Sequence, residues 1–350
     1  MISRPIYGHD ALLHRLGGAL ASSRFPQAAL LTGPTGVGKQ RIALWVAQGL
    51  LCENGVGEPC GKCAACLKVL GIGHPDLHWF VPIPRPKAGD PGKQVEQVKE
   101  LLAEAWADLR AEPLHGQPDR MASHSLASVR LLQRIVALTP FQGSRKVIVV
   151  GDAERLIVQE ASQEAANALL KVLEEPPADT VILLTASDPQ ALLPTIRSRM
   201  VPIRVSRVGD KHVRAFLENE FEGSLDKAEV KRRVISADGC IGRALRPDGE
   251  ADETKRAAVL LEAIKRGPTE WAAATLGQAS WGARGDFSGT LDAMAVSLRD
   301  EIAEPKTPPE RMTICLEALK RVQETRLEAQ GNVNPQLALA VLASDLGNLL

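Results

Sequence analysis

A glycine-rich segment near the amino terminus constrains this chain more than any other feature. Residues 33–40 read Gly-Pro-Thr-Gly-Val-Gly-Lys-Gln and follow an apolar run, 28–32. They satisfy the phosphate-binding pattern G-x-x-x-x-G-K-[ST] at every position except the last. In this pattern backbone N–H groups surround a polyphosphate, and the lysine reaches its outer phosphates. The predicted nucleotide contacts are Gly33, Gly36, Val37, Gly38, Lys39 and Gln40.

The position that departs from the pattern is the one that would serve a metal ion. Gln40 stands where a Ser or Thr hydroxyl normally coordinates Mg²⁺. A P-loop ATPase also needs a strand that ends in two acids, one for the Mg²⁺ shell and one to polarise water. The predicted strand 146–150 ends in Gly151-Asp152, so glycine replaces the first acid and Asp152 holds the second position. Glu154 is expected to point away from the site. Because both altered positions, Gln40 and Gly151, would serve the same Mg²⁺ ion, the sequence predicts that Mg²⁺-dependent ATP hydrolysis is lost.

Four of the six cysteines crowd into the segment 52–66, with the spacing C-x7-C-x2-C-x2-C. Thiols stay reduced in a cytoplasmic protein, so disulfides are the weaker interpretation. Three cysteines at two-residue intervals around Pro59 and Gly61 form a tight turn whose sulfurs can converge on one ion. Four sulfurs with no open coordination position are typical of a structural zinc site. The predicted ligands are Cys52, Cys60, Cys63 and Cys66.

Composition limits the remaining possibilities. The chain has 350 residues, of which 45% are hydrophobic and 24% charged, and this predicts a globular protein of two or three domains. The sequence lacks an apolar stretch of membrane-spanning length and a signal-peptide core, so we expect a cytoplasmic protein without membrane contact. The 42 basic residues balance the 42 acidic ones and aromatic residues make up 3%. Neither value favours an autonomous hold on nucleic acid.

The order of predicted elements indicates an α/β fold with a parallel sheet, because apolar strands alternate with helices up to about residue 205. Residues 82–125 are interpreted as an insertion that decorates the core and contains an exposed amphipathic helix over 95–110. Strands are not predicted beyond residue 206, and Pro247–Asp252 are interpreted as a polar linker. The predicted strands are 28–32, 78–83, 146–150, 181–185 and 201–205, and the main predicted helices of this region are 10–24, 41–51 and 158–174.

Several segments together resemble the clamp-loader subunits of bacterial DNA polymerase III, in the AAA+ family, and in particular the delta-prime family. The resemblance covers most of residues 1–205, and its most specific block is 165–177. The segments are Ile6-Tyr7-Gly8-His9, the P-loop, the cysteine knuckle, Leu138-Thr139-Pro140-Phe141-Gln142-Gly143, Asn167-Ala168-Leu169-Leu170-Lys171 with Leu173-Glu174-Glu175-Pro176-Pro177, and Thr195-Ile196-Arg197-Ser198-Arg199. The resemblance implies a P-loop AAA+ domain over 1–205 with a zinc knuckle, a helical lid over 206–250 and an all-α collar for oligomerisation over 255–350.

The resemblance also implies roles for particular residues. Ser198-Arg199 is similar to the clamp-loader "SRC" motif, with Met200 in place of the cysteine, and its arginine reaches the ATP site of a neighbouring subunit as an arginine finger. Arg243 is similar to a lid arginine near bound nucleotide. The implied partners are gamma/tau and delta subunits in a hetero-oligomeric ring, with the sliding clamp and primed DNA reached through the complex. ATP or ADP would bind weakly or not at all. The chain itself would carry no polymerase site, although it belongs to a DNA-directed DNA polymerase holoenzyme.

Three alternatives differ from a non-catalytic clamp-loader subunit. An active motor of the gamma/tau type would carry the loop Ser or Thr and an Asp-Glu pair, where this chain has Gln40 and Gly151-Asp152. Another AAA+ ATPase would need the same metal ligands. An unrelated zinc-dependent enzyme is disfavoured, because four thiolates leave no open position on the metal.

Overall fold

The computed structural model describes residues 5–349, apart from 88, 112–121, 157–162, 246, 277–283, 304–306 and 329–333. The chain divides into two compact units. The first ends at Leu245, and the second covers Arg246–Leu350. The first unit therefore contains both the segment predicted as the P-loop domain and most of the predicted lid.

A five-stranded parallel sheet forms the centre of the first unit. Its strands are β1 (Ala28–Thr32), β2 (Leu77–Phe80), β3 (Lys146–Val150), β4 (Thr180–Ala186) and β5 (Val201–Arg204). Their spatial order is β2-β3-β4-β1-β5, and every neighbouring pair runs parallel. β3 and β4 are buried along their whole length, as expected for strands covered on both faces. The predicted α/β class with a parallel sheet is confirmed.

Ten helices complete the described part of the first unit. They are α1 (Asp10–Ala21), α2 (Lys39–Leu51), α3 (Ala64–Leu70), α4 (Pro91–Ala111), α5 (Leu126–Val136), α6 (Glu164–Glu174), α7 (Pro194–Arg197), α8 (Asp210–Phe221), α9 (Lys227–Ala237) and α10 (Ile241–Ala244). The helix predicted over 158–174 is present from Glu164, and residues 157–162 lie outside the described part. α8, α9 and α10 have a small core of their own, which includes Val213, Leu217 and Val234.

Helix α4 is more than a decoration on the sheet. Its Val95, Val98 and Leu102 are buried and belong to the same hydrophobic core as the strands. The indole N–H of Trp106 donates to the carbonyl oxygen of Trp79 in β2 at 2.7 Å. One face of this predicted exposed helix is therefore part of the core, as its amphipathic pattern permits.

The described part of the second unit is entirely helical. Its helices are α11 (Pro247–Arg266), α12 (Pro268–Leu276), α13 (Arg284–Ala303), α14 (Pro309–Glu328) and α15 (Pro335–Gly347). They share a core that includes Leu260, Ile264, Leu291, Met294 and Leu342. The interpretation of 247–252 as a linker is wrong, because these residues form the first turns of α11. Proline is favoured at the first position of a helix and acidic residues in its first turn, so this polar segment is a helix start.

Among the described residues, no helix combines the length and the apolar character needed to cross a lipid bilayer.

Candidate nucleotide site and cysteine cluster

The predicted nucleotide site lies at the carboxyl edge of the parallel sheet. The P-loop follows β1, the Gly151-Asp152 pair follows β3, and Ser187 follows β4. Open α/β sheets bind ligands at this edge, because loops from neighbouring strands meet there. Gly38, with φ of 103°, ends the loop and precedes the first residue of α2. A left-handed backbone of this kind is adopted readily only by glycine.

Lys39 is the central side chain of the P-loop and is only 5% exposed. Its ammonium donates to the carbonyl oxygens of Gly33 at 2.8 Å and Pro34 at 2.9 Å, and to the hydroxyl of Ser187 at 2.8 Å. An ammonium has three N–H donors, so the chain itself engages all of them. Burial lowers the pKa of Lys39, and the carboxylates of Glu154 and Asp152 oppose that shift. A polyphosphate held by Lys39 must therefore replace at least one of these hydrogen bonds.

Gln40 occupies one of the two positions that would serve a metal ion, and its side chain extends to the other, Gly151. Its side-chain amide donates to Oδ2 of Asp152 at 3.2 Å. A Cβ at Gly151 would lie 3.2 Å from the Gln40 amide nitrogen and 3.3 Å from Trp79 Nε1, both tighter than ordinary contact. The long side chain at position 40 thus occupies room left by the missing side chain at position 151. The residues that replace the usual metal ligands fit each other sterically.

Trp79 and His124 both lie next to Gly151. Trp79 Nε1 is buried and has no hydrogen-bond partner in the described part of the chain. His124 Nε2 lies 2.7 Å from the carbonyl oxygen of Gly151. Burial lowers the pKa of His124 to about 4, so its ring is neutral at pH 7, and Nε2 donates because a carbonyl can only accept. A residue from the end of the predicted insertion therefore fixes the backbone at the degenerate acid position.

Glu154 does not point away from the site, contrary to the sequence-based expectation. Strand β3 ends at Val150, Asp152 adopts a left-handed φ of 48°, and a short 3₁₀ helix follows over Ala153–Leu156. This turn brings Glu154 Oε1 to the backbone N–H of Ser187, which donates to it at 2.9 Å. Burial raises the pKa of the Glu154 carboxyl, although the Ser187 hydrogen bond opposes the shift. Lys39, Ser187 and Glu154 form one connected polar network.

The last helix of the first unit lies directly against the P-loop. The N–H of Gly242 donates to the carbonyl oxygen of Gly36 at 2.8 Å, and a Cβ on Gly242 would lie only 2.8 Å from Gly36 Cα. The backbone of Arg243 is brought to the same point, since a Cβ at Gly36 would lie 3.1 Å from its N atom. On the other side of the loop, His9 Nε2 is 3.0 Å from the carbonyl oxygen of Val37.

Arg199 lies in the turn after α7. Its guanidinium donates to the carbonyl oxygen of Thr195 at 3.1 Å and to Oε1 of Glu174 at 2.9 Å. Arg197, two residues earlier, donates instead to Oε1 of Gln190, and its Nε is buried without a hydrogen-bond partner among the described residues. The two arginines thus have separate environments.

The four clustered cysteines converge as their spacing predicts. All four sulfur atoms lie within 4.8 Å of one another, with 3.9 Å between Cys52 and Cys63 and between Cys60 and Cys66. Backbone N–H groups of Cys63 and Cys66 donate to the sulfurs of Cys60 and Cys63, each at 3.4 Å. Hydrogen bonds from the backbone N–H groups of Lys62 and Cys63 lower the pKa of Cys60 to about 6, whereas burial raises the pKa of Cys66. This cluster could hold a metal ion.

Sequence reasoning missed three residues of the predicted nucleotide site and placed a fourth, Glu154, away from it. Ser187 alone had a signal in the sequence, and it was weak. It follows a buried strand, and polar residues at the carboxyl end of a parallel strand are candidates for a ligand site. The pairing of Glu154 with Ser187, and of His124 with Gly151, depends on contacts between distant segments. The missed residues are Trp79, His124 and Ser187.

A parallel α/β sheet with a P-loop after its first strand and a polar network at its carboxyl edge defines a nucleotide-site scaffold of the P-loop class. Comparison with known families narrows this class. The family described as "DNA polymerase III, delta subunit" matches residues 8–209, which is more than half of the chain, and the chain belongs to that family.

Two relatives and one solved structure are similar to the chain to different extents. A protein from Pseudomonas aeruginosa named "DNA polymerase III subunit delta'" is 36% identical over 194 residues, which cover 55% of this chain and 46% of the relative. A "DNA polymerase III subunit tau" from Salmonella typhimurium is 29% identical over 244 residues, covering 69% of this chain and 31% of the relative. The chain thus spans less than half the length of these two relatives. A solved gamma subunit-related protein from Thermotoga maritima aligns with 81% of this chain and 98% of its own, at 18% identity and a TM-score of 0.38.

Proposed function

We propose that this chain is a clamp-loader subunit of a DNA polymerase III holoenzyme, with a P-loop that does not hydrolyse ATP. The observation that carries the proposal is the contact of Gln40 with Asp152 above Gly151. Efficient phosphoryl transfer needs Mg²⁺ to bridge the phosphates, and the protein must supply ligands to that ion or its water shell. Here the hydrogen bond between Gln40 and Asp152 occupies the position where those metal ligands would lie. Weak binding of ATP or ADP through the loop amides and Lys39 stays compatible with the proposal.

In this proposal the chain contributes Arg199 to the ATP site of a neighbouring motor subunit of the gamma/tau type. Residues 206–245 act as a lid over the P-loop, and the second unit acts as a collar that joins the chain to gamma/tau and delta subunits. The sliding clamp and primed DNA are reached through the assembled ring. A planar and permanently charged guanidinium suits this role, because it can stabilise negative charge on a phosphate during transfer. The complex acts in the cytoplasm, where the clustered thiols stay reduced.

The cysteine cluster is proposed to hold structural zinc. Zinc bound by four thiolates at about 2.3 Å in a tetrahedron places its sulfurs about 3.8 Å apart. The two 3.9 Å separations in the cluster fit that value. Thiolates that accept backbone N–H groups are also typical of such sites, since these outer hydrogen bonds orient the ligands.

One experiment separates this function from that of an active motor. The complex is reconstituted with gamma/tau-type and delta subunits, and its DNA- and clamp-stimulated ATPase rate is measured. We expect Lys39→Ala to leave the rate nearly unchanged and Arg199→Ala to lower it by more than about tenfold. This loss should be smaller than the roughly 10³–10⁵-fold effect of arginine fingers in GTPases, because the ring has several such arginines. Arg197→Ala serves as the matched control, with a far smaller effect.

The opposite pattern would identify the alternative function. A loss of activity from Lys39→Ala comparable to that of a motor subunit's own lysine variant would show that this chain hydrolyses ATP itself. Equal losses from Arg199→Ala and Arg197→Ala, or none from either, would contradict the finger assignment. Gel filtration of each variant complex checks that assembly is intact.

A further inference from the structure

Glu174, the last residue of α6, contacts the proposed finger directly. Its Oε1 accepts a hydrogen bond from Arg199 NH2 at 2.9 Å, and the two side chains are 50% and 35% exposed. The second anchor of the guanidinium is the backbone of the preceding helix α7, where NH1 donates to the carbonyl oxygen of Thr195 at 3.1 Å. Two different elements, α6 and α7, therefore fix one charged group.

This arrangement leaves the guanidinium both ordered and available. Arg has five N–H donors, and the described part of the chain engages two of them. A free Arg side chain samples many rotamers, and ordering it costs entropy each time it must meet a target. An Arg already held at two points has lost most of that freedom before any partner arrives.

The ion pair is also weak enough to yield to a stronger acceptor. Exposed pairs of one carboxylate with one cation contribute little, because water screens both charges. A triphosphate carries several negative charges and binds Arg through charge-assisted hydrogen bonds. The carboxylate can therefore hold the guanidinium at the surface without preventing its use by a phosphate on another chain.

We propose that Glu174 is a positioning residue for Arg199: it orders the guanidinium at the α6–α7 surface so that it meets a phosphate bound by a neighbouring subunit. This inference rests on the proposed function, because it gives the trans arginine a partner within its own chain. Glu174 does not contact the nucleotide itself, so it acts only through Arg199.

The neighbouring residue provides a matched control. Glu175 is also exposed, carries the same charge and adjoins Glu174 in the chain. Arg199 forms its ion pair with Glu174, not with Glu175, among the described residues. A general effect of removing negative charge from this surface would therefore appear with both variants, whereas a positioning effect would appear with Glu174 variants alone.

The first test uses the reconstituted complex. We expect Glu174→Ala to lower the kcat of stimulated ATP hydrolysis about three- to tenfold, the cost of re-ordering one Arg side chain. KM should stay unchanged, because an interaction made only in the transition state affects kcat. Glu174→Gln, which keeps an oxygen acceptor, should fall between Glu174→Ala and the natural chain, and Glu175→Ala should match the natural chain.

Each outcome has a distinct meaning. If Arg199→Ala lowers the rate and Glu174→Ala does not, the positioning role is wrong and the proposed function stands. If Arg199→Ala has no effect, the proposed finger role of Arg199 fails, and the positioning role fails with it. A faster rate with Glu174→Ala would overturn positioning as well, because it would show that the carboxylate competes with the phosphate.

The second test needs only the full chain in solution. With ¹⁵N-labelled arginine, the heteronuclear NOE of Arg199 Nε reports fast motion of its side chain. We expect this NOE to be lower in Glu174→Ala than in the natural chain and unchanged in Glu175→Ala. Identical values in all three proteins would overturn the inference without reference to any partner subunit.

Discussion

Two buried charges of the first unit, on Asp76 and Lys146, hold the backbone in place. Asp76 is 1% exposed, and its carboxylate accepts N–H groups from Phe141, Gln142 and Gly143. Lys146 is equally buried and donates to carbonyl oxygens at the end of α5, including that of Ile135 at 2.7 Å. A carboxylate that accepts several N–H groups and an ammonium at a helix carboxyl end are both favourable. Together they fix the turn that leads into β3.

Replacing the Asp76 carboxylate should destabilise the first unit. Asp76→Asn keeps the size of the side chain but directs an NH₂ group toward backbone donors, which leaves buried groups unpaired. We expect a loss of about 1–3 kcal/mol in the free energy of unfolding, measured by urea denaturation at pH 7. Asp90→Asn is the matched control, because Asp90 is exposed and accepts the N–H of Lys93 at the start of α4, a position where Asn substitutes well. Equal stability of Asp76→Asn and the natural chain would contradict this account.

The same residue predicts a dependence on pH. Burial acts to raise the pKa of Asp76, but the N–H groups of Phe141, Gly143 and Gln142 outweigh it, so the pKa of the folded protein is lowered. A lowered pKa means that the stabilisation is complete above the ordinary Asp value of about 3.9 and is lost as the pH falls through the lower folded value. The stability difference between the natural chain and Asp76→Asn should thus be constant near neutral pH and shrink below about pH 4. A difference that grows toward acid would contradict this sign.

At the scale of elements, the cysteine cluster links two helices that have little else to fix the chain between them. Cys52 directly follows α2. Cys63 directly precedes α3, and its sulfur accepts the backbone N–H of Cys66. The connection between them contains Gly55, Gly57 and Gly61, all with positive φ. Such a segment has few apolar side chains to bury, so a metal ion is the natural cross-link.

Zinc content tests that account of the knuckle. The purified, reduced chain should contain about one equivalent of zinc, and Cys63→Ser with Cys66→Ser should abolish it. Cys315→Ala, at a buried cysteine of the second unit, should keep the metal. Because four thiolates close the coordination sphere, metal loss should lower the melting temperature without changing the nucleotide site. Zinc bound equally by the double variant would show that the cluster is not the site.

At the scale of the whole molecule, the second unit leaves apolar side chains uncovered. The sequence predicts more apolar surface than a thin helical domain can bury, at Leu316, Leu319, Val322, Leu337, Leu339, Val341 and Leu342. Val322, Leu339 and Leu342 are in fact inside its core, and Leu319 packs against it. The remaining three stay exposed: Leu316 at 54%, Leu337 at 62% and Val341 at 54%. Leu337 and Val341 are one helical turn apart on α15, so they share a face.

This face should carry assembly with partner subunits. Leu276, 73% exposed at the end of α12, lies beside it, because its carbonyl oxygen accepts from the Gln336 amide at 3.3 Å. We expect Leu337→Asp with Val341→Asp to prevent entry into the complex while circular dichroism stays unchanged, since exposed positions tolerate charge. Leu339→Asp, at a buried position of the same helix, should instead unfold the second unit. Full assembly of the double variant, measured by gel filtration with the partner subunits, would exclude this face.

The first unit should fold without the second. It has its own sheet, its own core and its last helix against the P-loop, so a chain that ends at Leu245 should fold. Its thermal unfolding should be cooperative, and it should fail to join the partner subunits. Assembly of this shortened chain at full affinity would contradict the collar role of the second unit.

Local patterns in the sequence determined the strands, the P-loop and the four-cysteine cluster. Each is a short-range feature: apolar runs predict buried strands, glycines and lysine in fixed order predict a phosphate loop, and close cysteines predict a shared ion. The start of α11 was missed because Pro247 and its acidic neighbours fit a linker as well as a helix start. Composition alone does not separate those two cases.

Only the tertiary structure decided how the site is completed. The sequence showed that positions 40 and 151 depart from the ATPase pattern, but not that Gln40 reaches Asp152 over Gly151. It likewise did not show that Glu154 turns toward Ser187, or that Glu174 holds Arg199. These partners are separated by 25 to 112 residues along the chain. Side-chain contacts over such distances depend on strand order, register and the turns between elements, and a single sequence fixes those only through the packing of the whole fold.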